Sequence, residues 1–278
     1  MPDLYIVATP IGNLEDITLR AVRVLGEVGL IAAEDTRVTR KLLTRYDIHT
    51  PLTSYYEHNK RSKLPSLLAA LAEKDIALVT DAGTPGVSDP GYELVRAASD
   101  AGVRVVPIPG ASAITSAIAV SGLPADRFVY LGFLPRRRSE RLELLGSLTT
   151  ERRAMVALET PHRLRAALED LLETLGDRRI AAGRELTKLH EEVFRGAVSE
   201  ALEKFVAPRG EFTLVIEGAA ESVTPASPEA ARELLTRYRE EGLGAKESVA
   251  RAAGESGVSR RDAYRLWLEV DKAAREQL

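Results

Sequence analysis

Residues 79–91 read V-T-D-A-G-T-P-G-V-S-D-P-G, and this stretch decides the fold. It follows an apolar run at residues 76–79 that is typical of a buried strand, and it precedes an amphipathic pattern that begins near Tyr92. Its glycines permit unusual backbone angles, and its prolines fix the direction of the chain. A strand, a glycine-rich turn and a helix in this order predict a ligand-binding loop beside an open α/β sheet. The alternative is an ordinary strand-to-helix connection, which needs only about two to six residues.

Short apolar runs continue this pattern through the first half of the chain. Each is followed by a turn and then by helical spacing of apolar residues; the runs lie at residues 4–8, 30–33, 76–79 and 103–108. Strands that alternate with helices at this pace predict a mostly parallel sheet with helices on both faces. We therefore predict an N-terminal α/β domain at residues 1–125.

A second series of apolar runs that alternate with helical spacing begins after residue 125. Its apolar runs lie at residues 128–131, 154–158, 180–184 and 213–216. They predict a second α/β domain at residues 126–218. The small-residue and proline stretch at residues 218–228 is typical of a linker, and helical spacing follows it. We predict a small all-helical appendage at residues 229–278.

The composition excludes several classes of protein. The net charge of −3 gives no general basic field, so a nucleic-acid partner would need a local basic patch. The absence of cysteine excludes disulfides and thiolate metal sites, and four histidines without an H-E-x-x-H spacing give little support for any metal site. The chain has no apolar run of membrane-spanning length and no signal-peptide pattern. These features predict a cytoplasmic protein without a membrane partner.

Nine motifs, taken in order, carry a resemblance to a known family. They read L-Y-I-V-A-T-P-I-G-N, E-D-T-R, S-Y-Y-E-H-N, D-A-G-T-P-G-V-S-D-P-G, P-G-A-S-A, G-F-L-P-R-R-R, E-T-P-H-R, R-E-L-T-K-L-H-E-E and G-E-F-T-L-V-I. Over about residues 3–217 the chain resembles the tetrapyrrole-methylase superfamily, and within it the branch that methylates small-subunit ribosomal RNA. One motif departs from the wider family: the first turn reads A-T-P-I-G where many relatives have G-x-G-x-G.

The resemblance implies a fold, a cofactor and an activity. It implies two α/β domains of the tetrapyrrole-methylase type, with S-adenosylmethionine bound in a cleft between them, and usually a homodimer. The implied reaction is methylation of the ribose 2′-hydroxyl of a cytidine in the decoding region of 16S ribosomal RNA. The substrate would be free ribosomal RNA or the assembled small subunit.

The resemblance also implies ten contacts to the cofactor. Those from the first domain lie in three turns, at Ile11, at Gly83, Thr84 and Val87, and at Ser112 and Ala113. The last of these turns begins a helix, where free N–H groups can bind polar ligand atoms. The second domain aligns less tightly and contributes Leu158, Gly183, Phe212 and Thr213.

The reaction itself needs few groups. The methyl group of a sulfonium is already activated, so the enzyme must mainly align the reacting atoms. A ribose hydroxyl is a weak nucleophile at neutral pH, so a general base or a nearby cation is expected. The candidates are Asp35 in E-D-T-R, Glu57 and His58 in Y-E-H-N, and Lys188 and His190 in T-K-L-H-E.

Each of these candidates has a structural alternative. Asp35 can cap a helix and form an ion pair within its own motif. Glu57 and His58 lie in a long loop, where polar side chains are routine. Lys188 also suits a contact with a substrate phosphate, and His162, at the start of a helix, suits a role in orienting the structure or RNA.

An arginine cluster supplies the local basic patch that RNA binding requires. Its members are Arg136, Arg137, Arg138 and Arg141, and they follow Phe133 closely. Aromatic and arginine neighbours favour base stacking and phosphate contacts. The alternative is a solvated start of a helix.

The C-terminal residues read as helix, turn and helix. The second helix begins near Ser259, which with Asp262 resembles an N-cap and its partner. Arg260 and Arg261 would be exposed on this helix, which fits a helix-turn-helix that binds nucleic acid. A small dimerisation or packing element is the alternative.

Two other functions fit the same pattern of motifs. One is methylation of a tetrapyrrole, precorrin-like intermediate on the same scaffold. The other is a non-catalytic RNA-binding factor that has kept the fold. The arginine cluster and the helical appendage favour the RNA methyltransferase over the first alternative, because a small polyanionic ring needs neither.

Overall fold

The structure is a computed structural model that describes residues 2–220 and 227–275. Contacts divide the chain into two compact units, Met1–Ala219 and Ala220–Leu278. The boundary predicted at residues 125 and 126 lies inside the first unit, between two separate sheets. Most of the predicted linker, residues 221–226, lies outside the described residues.

The first sheet has five strands, all paired in parallel. They are β1 (Asp3–Val7), β2 (Leu30–Ala33), β3 (Leu52–Ser54), β4 (Ile76–Val79) and β5 (Arg104–Ile108), in the spatial order β3-β2-β4-β1-β5. The helices between and after them are α1 (Leu19–Glu27), α2 (Thr36–Arg45), α3 (Lys60–Leu71), α4 (Tyr92–Asp100) and α5 (Ala113–Ser121). The parallel sheet predicted from the spacing is therefore present.

Alternation along the central strands directs side chains to two helical layers. Ala77 and Val79 of β4 pack in a cluster that includes Leu25 of α1 and residues of α2. Ile76 and Leu78 pack on the other face, with residues of α3 and α4. Both faces of the sheet are covered, so the ligand-binding surface lies where the strands end rather than on a face.

The second sheet is mixed rather than parallel. Its strands are β6 (Phe128–Phe133), β7 (Ala154–Glu159), β8 (Arg179–Arg184), β9 (Glu192–Ala197) and β10 (Phe212–Ile216), in the order β6-β7-β10-β8-β9. Only β6 and β7 pair in parallel; the other three pairs are antiparallel. Helices α6 (Arg138–Gly146), α7 (Pro161–Leu175) and α8 (Val198–Lys204) accompany this sheet.

Helix α5 joins the two sheets. One face of the second sheet packs against α6, α7 and α8 around a core that contains Leu145, Leu168 and Ala201. Its opposite face packs through Val156 and Val215 in a cluster that contains Ala117 of α5. Because α5 follows β5 directly, its first turn lies at the edge of the first sheet and beside the second.

Within residues 227–275, the second unit is a bundle of three helices, α9 (Pro228–Glu240), α10 (Ala245–Ser256) and α11 (Arg260–Arg275). Its core contains Leu235, Tyr238 and Trp267. The predicted cap is present, since Ser259 Oγ accepts from the Asp262 N–H at 3.1 Å. Helix α10 ends at Ser256, and Gly257 follows it in the left-handed conformation.

Thr18 caps α1, since its side chain accepts from the Ala21 N–H, and Asp16 lies in the short 3-10 turn before it. In the second unit, Tyr264 of α11 is 52% exposed. Arg260 and Arg261 are exposed, as predicted. None of the helices in residues 2–220 and 227–275 is long and apolar enough to cross a membrane.

Candidate cofactor and substrate site

The loop after β4 is tied to the turn after β1. The Thr9 N–H donates to the Gly83 carbonyl at 2.8 Å, and the Gly83 N–H donates back to Thr9 at 3.0 Å. Thr9 Oγ1 also donates to the Thr80 carbonyl at 3.0 Å. Gly83 has a φ of 81°, which side chains disfavour, so glycine suits this position. The two turns therefore form one fixed wall.

A cavity of about 640 Å³ lies against this wall and extends to the second sheet. It is lined by the turns after β1, β4 and β5 and by residues at the ends of β7, β8 and β10. All ten positions predicted for the cofactor line it: Ile11, Gly83, Thr84, Val87, Ser112, Ala113, Leu158, Gly183, Phe212 and Thr213. One cavity thus unites turns that are far apart in the sequence.

Aromatic side chains of β6 form another part of the lining. Phe128, Tyr130 and Phe133 all line the cavity, and Phe133 is 50% exposed. The Tyr130 hydroxyl lies 2.7 Å from Ser88 Oγ in the loop after β4. Burial raises the pKa of Tyr130, so its hydroxyl stays protonated near neutral pH. This bond connects the cofactor loop to the second sheet.

Five carboxylates line the same cavity, and three of them, which were not predicted from the sequence, follow strands of the first sheet. Glu34 follows β2, while Asp81 and Asp89 belong to the loop after β4. Asp81 Oδ1 accepts from the Asp35 N–H at 3.0 Å, and Glu34 Oε2 accepts from the Asp81 N–H at 3.4 Å. The available signal was the presence of two aspartates inside a predicted ligand loop.

Asp89 is the most perturbed of these carboxylates. Burial, and then the nearby charges of Glu34 and Asp81, raise the pKa of Asp89 to about 7. Burial is also the main cause that raises the pKa of Glu34 and of Asp81. Within residues 2–220 and 227–275, Asp89 has no hydrogen-bonded or ion-paired partner. Its carboxyl group is therefore able to exchange a proton near neutral pH.

Of the catalytic candidates named from the sequence, only Lys188 lines the cavity. Its Nζ donates to Glu185 Oε1 and to Glu211 Oε2, both at 2.9 Å. Burial opposes the charge, but the two hydrogen bonds outweigh it and raise the pKa of Lys188. A Cβ atom on Gly12 would lie 2.3 Å from Lys188 Cγ, so the lysine stem needs glycine in the first turn. Lys188 is a fixed cation rather than a base.

The other catalytic candidates do not line this cavity. Asp35 caps α2 and is bound by the Arg37 side chain, with Nη2 to Oδ2 at 2.6 Å. These hydrogen bonds lower the pKa of Asp35 to about 2, which suits a structural anion and not a base. Glu57 is exposed and paired with Lys60 at 2.8 Å. His58 is exposed beside it. Asp35 thus has the cap and the ion pair of its structural alternative, whereas Glu57 and His58 lie in a short connection, residues 55–59, and not in a long loop.

The arginine cluster has two kinds of member. Arg141 is buried; its Nε donates to Asp170 Oδ2 at 2.7 Å and its Nη1 to the Pro135 carbonyl at 3.0 Å. The prediction that Arg141 contacts RNA is wrong, because its guanidinium is enclosed and its donors are used. Arg138 also binds Asp170, at 2.8 Å. Arg138 is otherwise exposed.

Arg136 and Arg137 are the members that face solvent. Both are exposed, and among the residues that the structure describes Arg137 pairs only with Glu140, at 3.2 Å. In the described part of the chain, the Arg136 guanidinium has no ion-pair partner. The two side chains follow Phe133 closely, so a basic surface begins next to the aromatic lining of the cavity.

A buried carboxylate connects the cavity to this loop. Glu159 lines the cavity and is 1% exposed, and its Oε1 accepts from the Thr160 N–H at 2.8 Å. Arg163 Nη2 lies 3.3 Å from Glu159 Oε2 and donates to the carbonyls of Leu134 and Pro135. The loop that carries the exposed arginines is therefore held in place from the cavity side.

The described residues also limit what else the site can hold. Within residues 2–220 and 227–275, no group of three or more His, Asp or Glu side chains is placed to bind a metal ion.

The fold is that of a known class of methyltransferase. The structure of the methyltransferase CobJ superposes with a TM-score of 0.60 at 20% identity, covering 79% of this chain and 95% of that one. The uroporphyrin-III-C-methyltransferase from Thermus thermophilus has a TM-score of 0.56 at 22% identity, with coverages of 77% and 94%. Residues 3–202 match the family Tetrapyrrole (Corrin/Porphyrin) Methylases, and the chain belongs to this family.

Its relatives share a narrower name, Ribosomal RNA small subunit methyltransferase I. The protein of that name from Synechocystis sp. is 48% identical over 273 residues, which cover 96% of this chain and 98% of the relative. The Thermotoga maritima protein is 51% identical over 221 residues, covering 78% and 99%. The Bacillus subtilis protein is 44% identical over 271 residues, covering 94% and 92%. The predicted resemblance and α/β methylase fold are confirmed.

Proposed function

We propose that this chain transfers a methyl group from S-adenosylmethionine to the ribose 2′-hydroxyl of a cytidine in the decoding region of small-subunit ribosomal RNA. The observation that carries the proposal is the convergence of all ten positions predicted for the cofactor on one cavity. The shared name of the relatives supports ribosomal RNA as the substrate class.

The cavity has the properties that this donor requires. Its volume of about 640 Å³ lies in the usual range for a cofactor site. Ile11, Leu158 and Phe212 provide apolar surface for an adenine ring, and the first turn of α5 offers N–H groups to a carboxylate. Bound there, the donor supplies an electrophilic methyl group on a sulfonium, and the carboxylates of Asp81 and Asp89 favour a cation nearby.

We assign removal of the 2′-hydroxyl proton to Asp89. This side chain lines the cavity and lacks a partner among the described residues. With a pKa raised to about 7 by burial and by Glu34 and Asp81, it is close to the optimum for a general base at neutral pH. Asp35, Glu57 and His58 lack the position for this role, and Lys188 lacks the free lone pair.

The RNA side of the site begins at Phe133. An exposed aromatic ring at a cavity lining suits stacking on an unpaired base. Arg136 and Arg137 lie beyond it and suit contacts with backbone phosphates. We include Arg138 as a weaker contact, since Asp170 and Glu173 share its charge. Arg260 and Arg261 of the second unit remain proposed RNA contacts.

The electrostatics disfavour a tetrapyrrole as the acceptor. Glu34, Asp81 and Asp89 all line the cavity. A polycarboxylate ring placed there would meet like charges in a partly buried site, which is unfavourable. A nucleoside carries no charge of its own and can enter the cavity while its phosphates remain outside, next to the arginines.

Calorimetry and a methyl-transfer assay test the proposal. S-adenosylmethionine should bind at one site per chain, and the absence of binding would leave only an RNA-binding factor. The enzyme should transfer labelled methyl groups to small subunits from a strain that lacks this modification, and nuclease digestion should yield 2′-O-methylcytidine. Labelling of a porphyrinoid but not of RNA would contradict the proposal.

We also infer a cytoplasmic homodimer. The inference rests on the family resemblance and on the substrate class that the relatives' names support. Light scattering on the purified chain, at micromolar concentration, should give twice the mass of one chain. A monomer under conditions that support full activity would contradict it.

A further inference from the structure

A second cavity lies on the side of the second sheet where β8 ends. It has a volume of about 450 Å³ and is lined by Arg184, Glu185, His190, Arg209 and Gly210. None of these residues lines the larger cavity or belongs to the arginine cluster. Two arginines and a histidine against one carboxylate make this a basic surface depression in a chain with a net negative charge.

The one carboxylate in this lining already has hydrogen-bond partners within the protein. Glu185 Oε1 accepts from the Glu211 N–H and from Lys188 Nζ, both at 2.9 Å. These bonds hold the pKa of Glu185 below its usual value, with the backbone bond of Glu211 as the largest cause. The carboxylate therefore stays ionised, and its hydrogen bonds hold it against the loop, while Lys188 offsets part of its charge.

The two arginines keep their positive charge available. Arg184 Nε donates to the Arg209 carbonyl at 2.7 Å, which fixes the side chain in the wall of the cavity. Its ion-pair partner Glu192, at 3.1 Å, also binds Lys204 at 2.9 Å, so two cations share one anion. Arg209 and His190 are exposed, and neither has an ion-pair partner in the described ranges.

The loop that forms this cavity is rigidly built. Glu185 and Thr187 have φ values of 48° and 68°, in the left-handed region that such residues seldom adopt. The Thr187 N–H donates to Glu191 Oε2 at 2.6 Å, which closes the loop on itself. Backbone strain of this kind persists where the surroundings fix it, and it is concentrated at ligand sites.

The two cavities share one wall. Lys188 and Glu211 line the larger cavity, while Glu185, which binds both of them, lines the smaller one. Lys188 and its ion pairs with Glu185 and Glu211 therefore form the wall between the two cavities. A ligand in the larger cavity and an anion in the smaller one would lie on opposite sides of this wall.

We propose that the second cavity binds a backbone phosphate of the RNA strand next to the methylated nucleotide. The inference rests on the proposed function, and it assigns a position to the RNA backbone beside the methylated nucleotide. An enzyme that acts on a nucleotide inside a cavity takes that nucleotide out of its stack, and the flanking phosphates then lie at the rim. A guanidinium such as that of Arg209 suits a phosphate, because its donors match two phosphate oxygens.

Arg209→Ala and the double variant His190→Ala/Arg209→Ala test the proposal in the full-length chain. The KM for unmethylated small subunits should rise about fivefold to tenfold in Arg209→Ala, with kcat and the Kd for S-adenosylmethionine unchanged. The salt dependence of kcat/KM should weaken by about one unit of slope, as expected for loss of one phosphate contact. Arg209→Lys should recover part of the loss, because it restores the charge.

Arg96→Ala is the matched control. Arg96 is an exposed arginine on α4 that lines neither cavity, and its KM and salt slope should equal those of the wild type. A wild-type KM and slope in Arg209→Ala would overturn the phosphate site while leaving the proposed function intact. Failure of the wild-type chain to methylate small subunits would instead overturn the proposed function.

Discussion

Arg141 Nε donates to Asp170 Oδ2 at 2.7 Å, and both side chains are buried. The same guanidinium donates from Nη1 to the Pro135 carbonyl, so the ion pair anchors the loop before α6 to helix α7. A second arginine, Arg163, donates to that carbonyl at 3.1 Å from the side of the cavity. Arg136 and Arg137 thus lie on a loop whose backbone is fixed by Arg141 and Arg163.

This arrangement predicts a division between stability and RNA binding. Arg141→Ala should lower the free energy of unfolding by about 1–3 kcal/mol, because buried Asp170 loses one of its two arginine partners and keeps only the more exposed Arg138. Arg137→Ala, an exposed change in the same segment, should alter it by no more than about 0.5 kcal/mol. Urea unfolding followed by circular dichroism measures both. Equal losses in the two variants would contradict the assigned roles.

The exposed arginines should act on RNA alone. Arg136→Ala and Arg137→Ala each remove a solvent-facing cation and should raise the KM for small subunits. A weaker salt dependence of kcat/KM should accompany the change, by about one unit per lost phosphate contact. The Kd for S-adenosylmethionine, measured by calorimetry, should match the wild type. If the cofactor Kd rose together with KM, the separation of the two surfaces would be wrong.

The cofactor positions could be predicted because the family resemblance implies them, and the fold explains why they meet, since they lie beside strand ends. Thr84 and Val87 follow β4, and Ser112 precedes α5, so the sheet brings them to one edge once the strands are assigned. Their contact with the cofactor stays a prediction, and the structure adds that they line one cavity. Single-residue errors in strand bounds do not affect this result.

The catalytic group could not be predicted in the same way. The pKa of Asp89 depends on burial and on Glu34, which lies more than fifty residues earlier and meets it only in the folded chain. In the sequence Arg141 does not differ from the neighbouring arginines, because its burial and its ion pair with Asp170 of α7 arise only in the folded chain. Charge is visible in a sequence, but its solvent exposure and its partners are set by tertiary packing.

Asp89→Asn tests the assignment of the base. Removal of a positioned base should lower kcat by about 10²–10⁴-fold. In the wild type, kcat should increase with pH as Asp89 loses its proton around pH 7, and then level off. The residual kcat of Asp89→Asn should not rise with pH around pH 7. These rates follow from single-turnover methyl transfer at saturating cofactor.

Asp35→Asn serves as the control for this experiment. Asp35 caps α2 outside the cavity, so its replacement should leave the pH profile of kcat unchanged. Asp89 would be removed from the mechanism if kcat of Asp89→Asn kept the wild-type pH dependence. It would also be removed if Asp35→Asn lost that pH dependence.

The raised pKa of Asp89 also has a consequence for stability. Its folded value of about 7 exceeds the value of 3.8 expected when exposed, so the folded state binds the proton more tightly between these pH values. Stability contributed by protonated Asp89 is therefore lost as the pH rises from about 4 to about 7. Asp89→Asn should unfold at a higher temperature than the wild type at pH 8, and the difference should vanish near pH 4. A wild-type advantage at pH 8 would contradict the cost of ionising Asp89, to which burial and then repulsion by Glu34 and Asp81 contribute.

Thr84 tests whether the loop after β4 holds the methyl donor. Thr84→Phe would place a ring in the cavity beside Ile11 and Val87, and it should raise the Kd for S-adenosylmethionine at least about tenfold, equivalent to about 1.4 kcal/mol. Thr84→Ser removes one methyl group and should bind nearly as the wild type. RNA binding, measured by filter retention of small subunits without cofactor, should be unchanged in both, because the exposed arginines are untouched. Cofactor affinity equal to that of the wild type in Thr84→Phe would show that the donor lies elsewhere.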